Sequence, residues 1–348
     1  MNEQIDDIHD LRVVVWGCGN QERFAGRHIY REAKRQGLNV QFTLGRARPE
    51  IMSRTVADMI QSGKKPHWIL NLVIRPQMQM YYRWFRREGI RQAWLYHDQL
   101  NNTRTRMWNE LIQYPDVVMF SQLHNADLYR NGSNHVLWIP QYFNAERCKA
   151  NGSLPERLDP NKDQYDFCFI GHYDRRRSDW LGRLSKHHSH FLSQKIRMRG
   201  IREVFGYNMA NIYAQSKIAV NIQWASFVKD HPFLCSNRAY NAMGSGCFFI
   251  NHYVKQMELL WQEGVHCVTY NDKYEELEAK IRFWLRPENE AKREEIARAG
   301  QEDVLKYHTL ERRIPQYWRI MLAIQNGEDA DLEKWSFEQQ GKFVTRNW

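Results

Sequence analysis

Ser236-Asn237-Arg238-Ala239-Tyr240-Asn241-Ala242-Met243-Gly244-Ser245-Gly246-Cys247-Phe248-Phe249-Ile250 is the stretch that decides how this chain is read. It predicts a helix with polar groups at its start, a Gly-Ser-Gly break and then a strand. Cys247 to Ile250 is a short apolar run, typical of a strand covered on both faces. Gly244 and Gly246 leave backbone N–H groups unshielded by side chains. Such a unit can present Arg238 and Asn241 to a nucleotide, with the amides around Gly244 and Ser245 near phosphate. The same pattern also suits an ordinary helix–loop–strand step of any α/β domain, because short glycine motifs discriminate poorly.

The order that follows narrows the choice. Glu258-Leu259-Leu260-Trp261-Gln262-Glu263-Gly264 precedes Cys267-Val268-Thr269-Tyr270-Asn271-Asp272. A helix follows with Ile281, Trp284 and Leu285 at helical spacing, then Ile296-Ala297-Arg298-Ala299-Gly300 and His308-Thr309 before Arg313. Over about residues 165–320 this order resembles the C-terminal domain of GT-B glycosyltransferases, specifically the CgeB-like branch near glycosyltransferase family 4. The family pattern is Arg-x-Phe-Glu-Ala-x-x-x-Gly, a strand, a Leu-Phe-x-x-Gly turn, Tyr-x-Asp, a helix, Ala-x-x-Gly and a closing His-Thr-x-x-x-Arg. Two positions depart from it. Asn241 stands where the family has Glu, and Phe233 stands where a second Glu lies eight residues earlier. The family Glu accepts hydrogen bonds from ribose hydroxyls, and an Asn amide accepts without charge assistance.

Length and composition fit two domains. A chain of 348 residues with 43% hydrophobic content, 13 Trp and 16 Phe needs two sizeable cores. Met1 to Arg12 is polar and acidic, with no apolar segment of a secretory signal, and no run approaches a membrane span, which needs about 18 residues. The six cysteines (Cys18, Cys148, Cys168, Cys235, Cys247 and Cys267) form no Cys-x-x-Cys pair, so they read as reduced, buried residues of a cytoplasmic protein. Net charge is +10, and residues 1–220 hold 33 Lys and Arg against 21 Asp and Glu, while residues 221–348 hold 17 against 19. That asymmetry points either to an anionic partner or to a solvated basic surface.

Leu11 to Trp16 predicts a first strand, followed by Gly17-Cys18-Gly19-Asn20, a helix from about Gln21 to Gln36 and a second strand, Asn39 to Leu44. The third glycine of a dinucleotide fingerprint is missing, with Glu22 in its place, and no acidic residue ends the second strand, which argues against NAD. Gly17, Gly19 and Asn20 are the acceptor-side candidates. Pro76 to Glu88 predicts an amphipathic helix whose aromatics face the core or, alternatively, stack on nucleic-acid bases. Arg91 to Tyr96 predicts a strand ending in His97-Asp98, the edge where open α/β sheets place their sites.

Residues 144–164, with Gly152, Pro155 and Pro160, form the candidate linker. Tyr165 to Ile170 predicts a buried strand leading into Gly171 and the Arg175-Arg176-Arg177 triplet, where guanidinium groups suit phosphate. In the resembled family this turn approaches the donor diphosphate. Tyr213 and Lys217 match the family's Tyr-x-x-x-Lys run, and Lys229, Asp230 and His231 are polar candidates in the loop 224–236. His187, His188 and His190 lack the i, i+4 spacing of paired metal ligands. A last helix is expected from Pro315, a residue suited to a first helical position, to Gln325.

The resemblance implies an α/β GT-B fold: two Rossmann-like domains facing a central cleft. The boundaries expected are 1–150 for the acceptor-side domain, 151–320 for the nucleotide-sugar domain and 321–348 for a tail crossing back. The implied activity is transfer from a nucleotide-sugar donor, UDP-sugar favoured, to a hydroxyl acceptor, with retention. The donor set is Gly171, Arg175, Arg176, Lys217, Arg238, Asn241, Gly244 and Ser245. Asp98 and His97 are the catalytic candidates, and no metal or other cofactor is required. The basic half suggests a polyanionic acceptor, DNA or another anionic polymer. A sugar-nucleotide epimerase and a non-catalytic binding protein that has lost the family Glu remain alternatives.

Overall fold

The apolar runs of the sequence are strands, and among the described residues every strand pairing is parallel. The computed structural model describes residues 4–17, 25–44, 49–98, 100, 102–129, 135–188, 191–195, 204–223, 236–255, 257–328 and 332. Gly19, Asn20, Lys229, Asp230, His231, Phe233 and residues 333–348 of the expected tail lie outside the described residues. The chain divides into two units, one of Met1–Pro140 with Leu310–Trp348 and one of Gln141–Thr309.

In the first unit β1 (Val13–Gly17), β2 (Val40–Leu44), β3 (Trp68–Asn71), β4 (Arg91–Tyr96), β5 (Val117–Phe120) and β6 (His135–Trp138) form one sheet in the order β2-β1-β3-β4-β5-β6. Val13 to Trp16 is wholly buried, as befits a strand with helices on both faces. The helix Leu310–Asn326 completes this unit: its Arg313 Nε donates to the Pro140 carbonyl at 2.9 Å, and its Asn326 exchanges two hydrogen bonds with the backbone of Ile5. The helix does not start at Pro315; it starts five residues earlier and carries Pro315 inside. Proline lacks the N–H that would bond the carbonyl four residues back. That carbonyl, of Glu311, instead accepts from Gln36 Nε2 at 3.0 Å.

In the second unit β7 (Tyr165–Gly171), β8 (Phe191–Lys195), β9 (Ser216–Val220), β10 (Phe248–His252) and β11 (Val268–Tyr270) run in the order β11-β10-β9-β7-β8. One face carries a core of Phe167, Phe169, Leu181, Leu184, Ile218, Val220, Phe248, Ile250 and Ile281, all essentially buried. Each such side chain contributes about 1.5–3 kcal/mol of burial. The chain enters this unit at Gln141 and leaves at Thr309, ten or so residues ahead of the boundaries read from the sequence. The reason is local. Phe143 N donates to the His308 carbonyl at 2.7 Å, and the Phe143 ring fills the space beside Gly244, so the entering and leaving segments are paired here. Strand order reverses between β1 and β3 in one sheet and between β7 and β9 in the other, and such reversals open a crevice at the strands' carboxyl ends.

Candidate functional site

Two buried arginines bridge the β7/β9 crevice. Asp174 caps the helix Arg175–His187 by accepting from Arg177 N at 2.7 Å, and Ser236 caps the helix Asn237–Gly244 by accepting from Arg238 N at 3.3 Å. Each cap therefore fixes an arginine in the first turn. Arg238 Nε donates to the Ile170 carbonyl at the end of β7 (2.8 Å), and its Nη1 donates to Asn221 Oδ1, just past β9. Arg177 repeats the span: Nε donates to the Ile222 carbonyl (2.7 Å) and Nη1 to the His172 carbonyl (2.8 Å). Both guanidinium carbons lie over the Phe169 ring, at 4.8 Å for Arg238 and 5.4 Å for Arg177. A side chain on Gly171 would collide with Arg238 Nη2, so glycine is what lets the guanidinium lie against the strand end.

The electrostatics follow from this packing. These acceptors are neutral carbonyl or amide oxygens. Burial, then the neighbouring Arg238 charge, pushes the Arg177 guanidinium down to about 8, with Asp174 opposing. Burial also lowers Arg238, with Tyr213 and Tyr270 opposing. Two desolvated like charges held side by side create a strong field for an anion, and planar guanidinium groups suit phosphate. The network runs onward: Asn221 Nδ2 donates to Asn251 Oδ1 at 2.7 Å, and the Tyr270 hydroxyl donates to the Asn221 carbonyl at 2.9 Å. Asn251 Nδ2 is a buried donor with no hydrogen-bond partner among the described residues.

Other donor candidates gather here unequally. Arg176 pairs with Asp272 and lies 4.2 Å over the Trp180 ring, whereas Arg175 is exposed. Asn241 is half-buried one turn along the helix from Arg238, on the same face. Gly244 and Ser245 are at the far end of that helix. The Phe143 ring occupies the space beside Gly244, and the Ser245 hydroxyl donates to the Asn241 carbonyl at 2.7 Å. The amides of Ser245, Gly246 and Cys247 bond the carbonyls of Asn241, Met243 and Ala242. The Gly-Ser-Gly break is thus a helix C-terminus with Gly246 at φ +80°, and these amides serve the helix's own last carbonyls rather than standing free. Lys217 stands near the start of β9, at the amino ends of the strands and away from the crevice, with Nζ 2.9 Å from Asp166 Oδ1.

In the first unit His97 and Asp98 follow β4. His97 Nδ1 lies 2.7 Å from Ser121 Oγ, and burial pushes the ring down to about 4 against the opposing charge of Asp98, so it is neutral near pH 7. Asp98 is exposed and pairs with Arg104 at 3.1 Å. The close approach at Gly17 is to Phe42 and to the Cα of Gly26, so glycine here brings β1 against the helix Ala25–Arg35. Tyr82 and Phe85 are fully buried, which settles the amphipathic segment 76–88 in favour of a core-facing aromatic stripe. Among the described residues no group of three His, Cys, Asp or Glu side chains could hold a metal ion, and no helix is long and apolar enough to cross a membrane. The sequence reading missed the pairing of His252 with Asp272, which joins residues 20 apart and has no local signature.

Residues 154–319 match the family described as glycosyl transferase-like. No curated protein matches the sequence. Anabaena Alr3699/HepE in complex with UDP and glucose superposes with a TM-score of 0.59 at 12% identity, over 90% of this chain and all of that one. Sucrose-phosphate synthase from Thermosynechococcus elongatus does so with the same score, identity and coverage. The S. aureus MnaA–UDP complex gives 0.53 at 9%, over 90% of this chain and 97% of that one. The chain has the α/β fold of the GT-B glycosyltransferases, and its similarity to the glycosyl transferase-like family spans residues 154–319.

Proposed function

We propose that this protein is a glycosyltransferase that takes a sugar from a UDP-sugar and passes it to a hydroxyl acceptor. The observation that carries the reading is the pair of buried guanidiniums, Arg177 and Arg238, across the β7/β9 crevice. Two adjacent guanidiniums favour a doubly charged anion such as a nucleoside diphosphate. In the reaction the same groups would hold the charge that grows on the departing diphosphate. Arg176 and the polar chain through Asn221 and Asn251 extend the donor set.

Transfer with retention is read from the family resemblance. On that reading no protein base is required, and the neutral His97 orients the acceptor hydroxyl rather than removing its proton. The acceptor is read as a polyanion, with DNA the first candidate. The basic surplus that supports it belongs to both units: the first holds 25 Lys and Arg against 19 Asp and Glu, the second 25 against 21.

One specific residue favours a second reading, a nucleotide-binding protein without turnover: Asn241 replaces the Glu of the resembled family. Incubation with radiolabelled UDP-, GDP- and ADP-sugars, with and without EDTA, separates the two. The enzyme reading expects UDP release from one UDP-sugar that survives EDTA. Tight UDP binding with no release from any donor favours the second reading. A gel-shift series tests the acceptor: DNA binding should weaken with salt at a log–log slope of about −0.9 per phosphate contacted, and no binding at low salt rejects DNA.

A further inference from the structure

We infer that His252 is a recognition residue of the donor site, its Nδ1 accepting a hydrogen bond from a hydroxyl of the bound nucleotide sugar. The inference rests on the donor-site reading above. His252 ends β10, the neighbour of β9, and is 8% exposed. Its Nε2 stands 3.3 Å from Asp272 Oδ1, and the same carboxylate pairs with Arg176, the residue before Arg177.

A carboxylate only accepts, so Nε2 carries the proton. Burial lowers the imidazole's affinity for a second proton, with Asp272 opposing, and the ring is neutral near pH 7. A neutral ring protonated at Nε2 has its lone pair on Nδ1. That atom is buried and has no hydrogen-bond partner among the described residues. A buried acceptor left unmet is costly, and nearly all such atoms in folded proteins find a partner. A lone pair repels phosphate oxygens, so this atom selects a different part of the ligand from the one the guanidiniums select. Nucleotide sugars offer hydroxyls on the ribose and on the transferred sugar. The ring is also held in one orientation. Asp272 fixes its tautomer, and Tyr270 packs edge-on at 5.7 Å while its own hydroxyl is used on Asn221.

The test is nitrogen NMR of the full chain labelled with ¹⁵N-histidine, titrated with UDP and with UDP-glucose, with His252→Gln to assign the signal. The ligand-free ring should show the Nε2–H tautomer, and its Nδ1 resonance should move toward the hydrogen-bonded position when ligand is added. Movement with UDP assigns the ribose, and movement with UDP-glucose alone assigns the transferred sugar. In calorimetry His252→Leu should bind the responsible ligand roughly three- to tenfold more weakly, the loss of one neutral hydrogen bond. His252→Gln, whose amide oxygen can accept, should retain more affinity. An unmoved Nδ1 at saturation, with other signals shifted, overturns this inference and leaves the donor site standing. No shift in any signal with either ligand overturns the donor-site reading and this inference with it.

Discussion

The guanidinium of Arg238 occupies the space that a side chain on Gly171 would need, so the end of β7 and the first turn of the helix Asn237–Gly244 are matched to each other. The backbone at Gly171 is not left-handed, so alanine is barred only by this contact. Gly171→Ala should push Arg238 away from the Ile170 carbonyl and Asn221. Overpacking of this kind costs about 1–3 kcal/mol of stability. Urea unfolding together with UDP titration checks it, and a variant as stable as wild type with undiminished UDP affinity would refute the matching.

Lys217 gives the contrasting case. It lies at the amino ends of the strands, half-exposed and paired with Asp166. Lys217→Ala should leave UDP affinity unchanged and lower stability by about 1 kcal/mol or less. A large loss of UDP affinity would return Lys217 to the donor site.

Much of this fold is legible in the sequence because parallel strands covered on both faces read as unbroken apolar runs, as at Val13 to Trp16 and Phe248 to Ile250. β8 does not, since Phe191-Leu192-Ser193-Gln194-Lys195 is half polar, and among the described residues it is an edge strand pairing with β7 alone. The site is legible where a motif sits on one helix turn, as Arg238 does. It is opaque where the meaning of a residue is set by a distant partner. Gly244 is visible as a glycine, but its use depends on Phe143, far away in the chain. Pro315 looks like a helix start, yet Gln36 meets the carbonyl that proline orphans and lets the helix run through. His252 and Asp272 carry no spacing rule at all.

His97 sets a pH dependence. Its folded value of about 4 lies below the ordinary 6.5, so the unfolded chain takes up this proton first as pH falls. The stabilisation from a neutral His97 is complete above about pH 6.5, shrinks as pH falls toward 4, and is gone below that. A shift of this size corresponds to at most about 3 kcal/mol. Denaturation of wild type and His97→Gln from pH 7 to 4 should show a shallower loss in the variant. Parallel curves would mean that His97 titrates normally.

The central claim is that the two buried guanidiniums bind a nucleoside diphosphate, and calorimetric titration of UDP into wild type and Arg238→Met tests it most directly. The wild type should bind UDP. The variant should bind roughly ten- to a hundredfold more weakly, the loss of a hydrogen bond to a charged group, about 1.5–3 kcal/mol. Its ligand-free stability should fall by less than that, because removing one of two adjacent buried charges relieves the other. Equal UDP affinity in the two proteins, or no UDP binding by the wild type, would contradict the account.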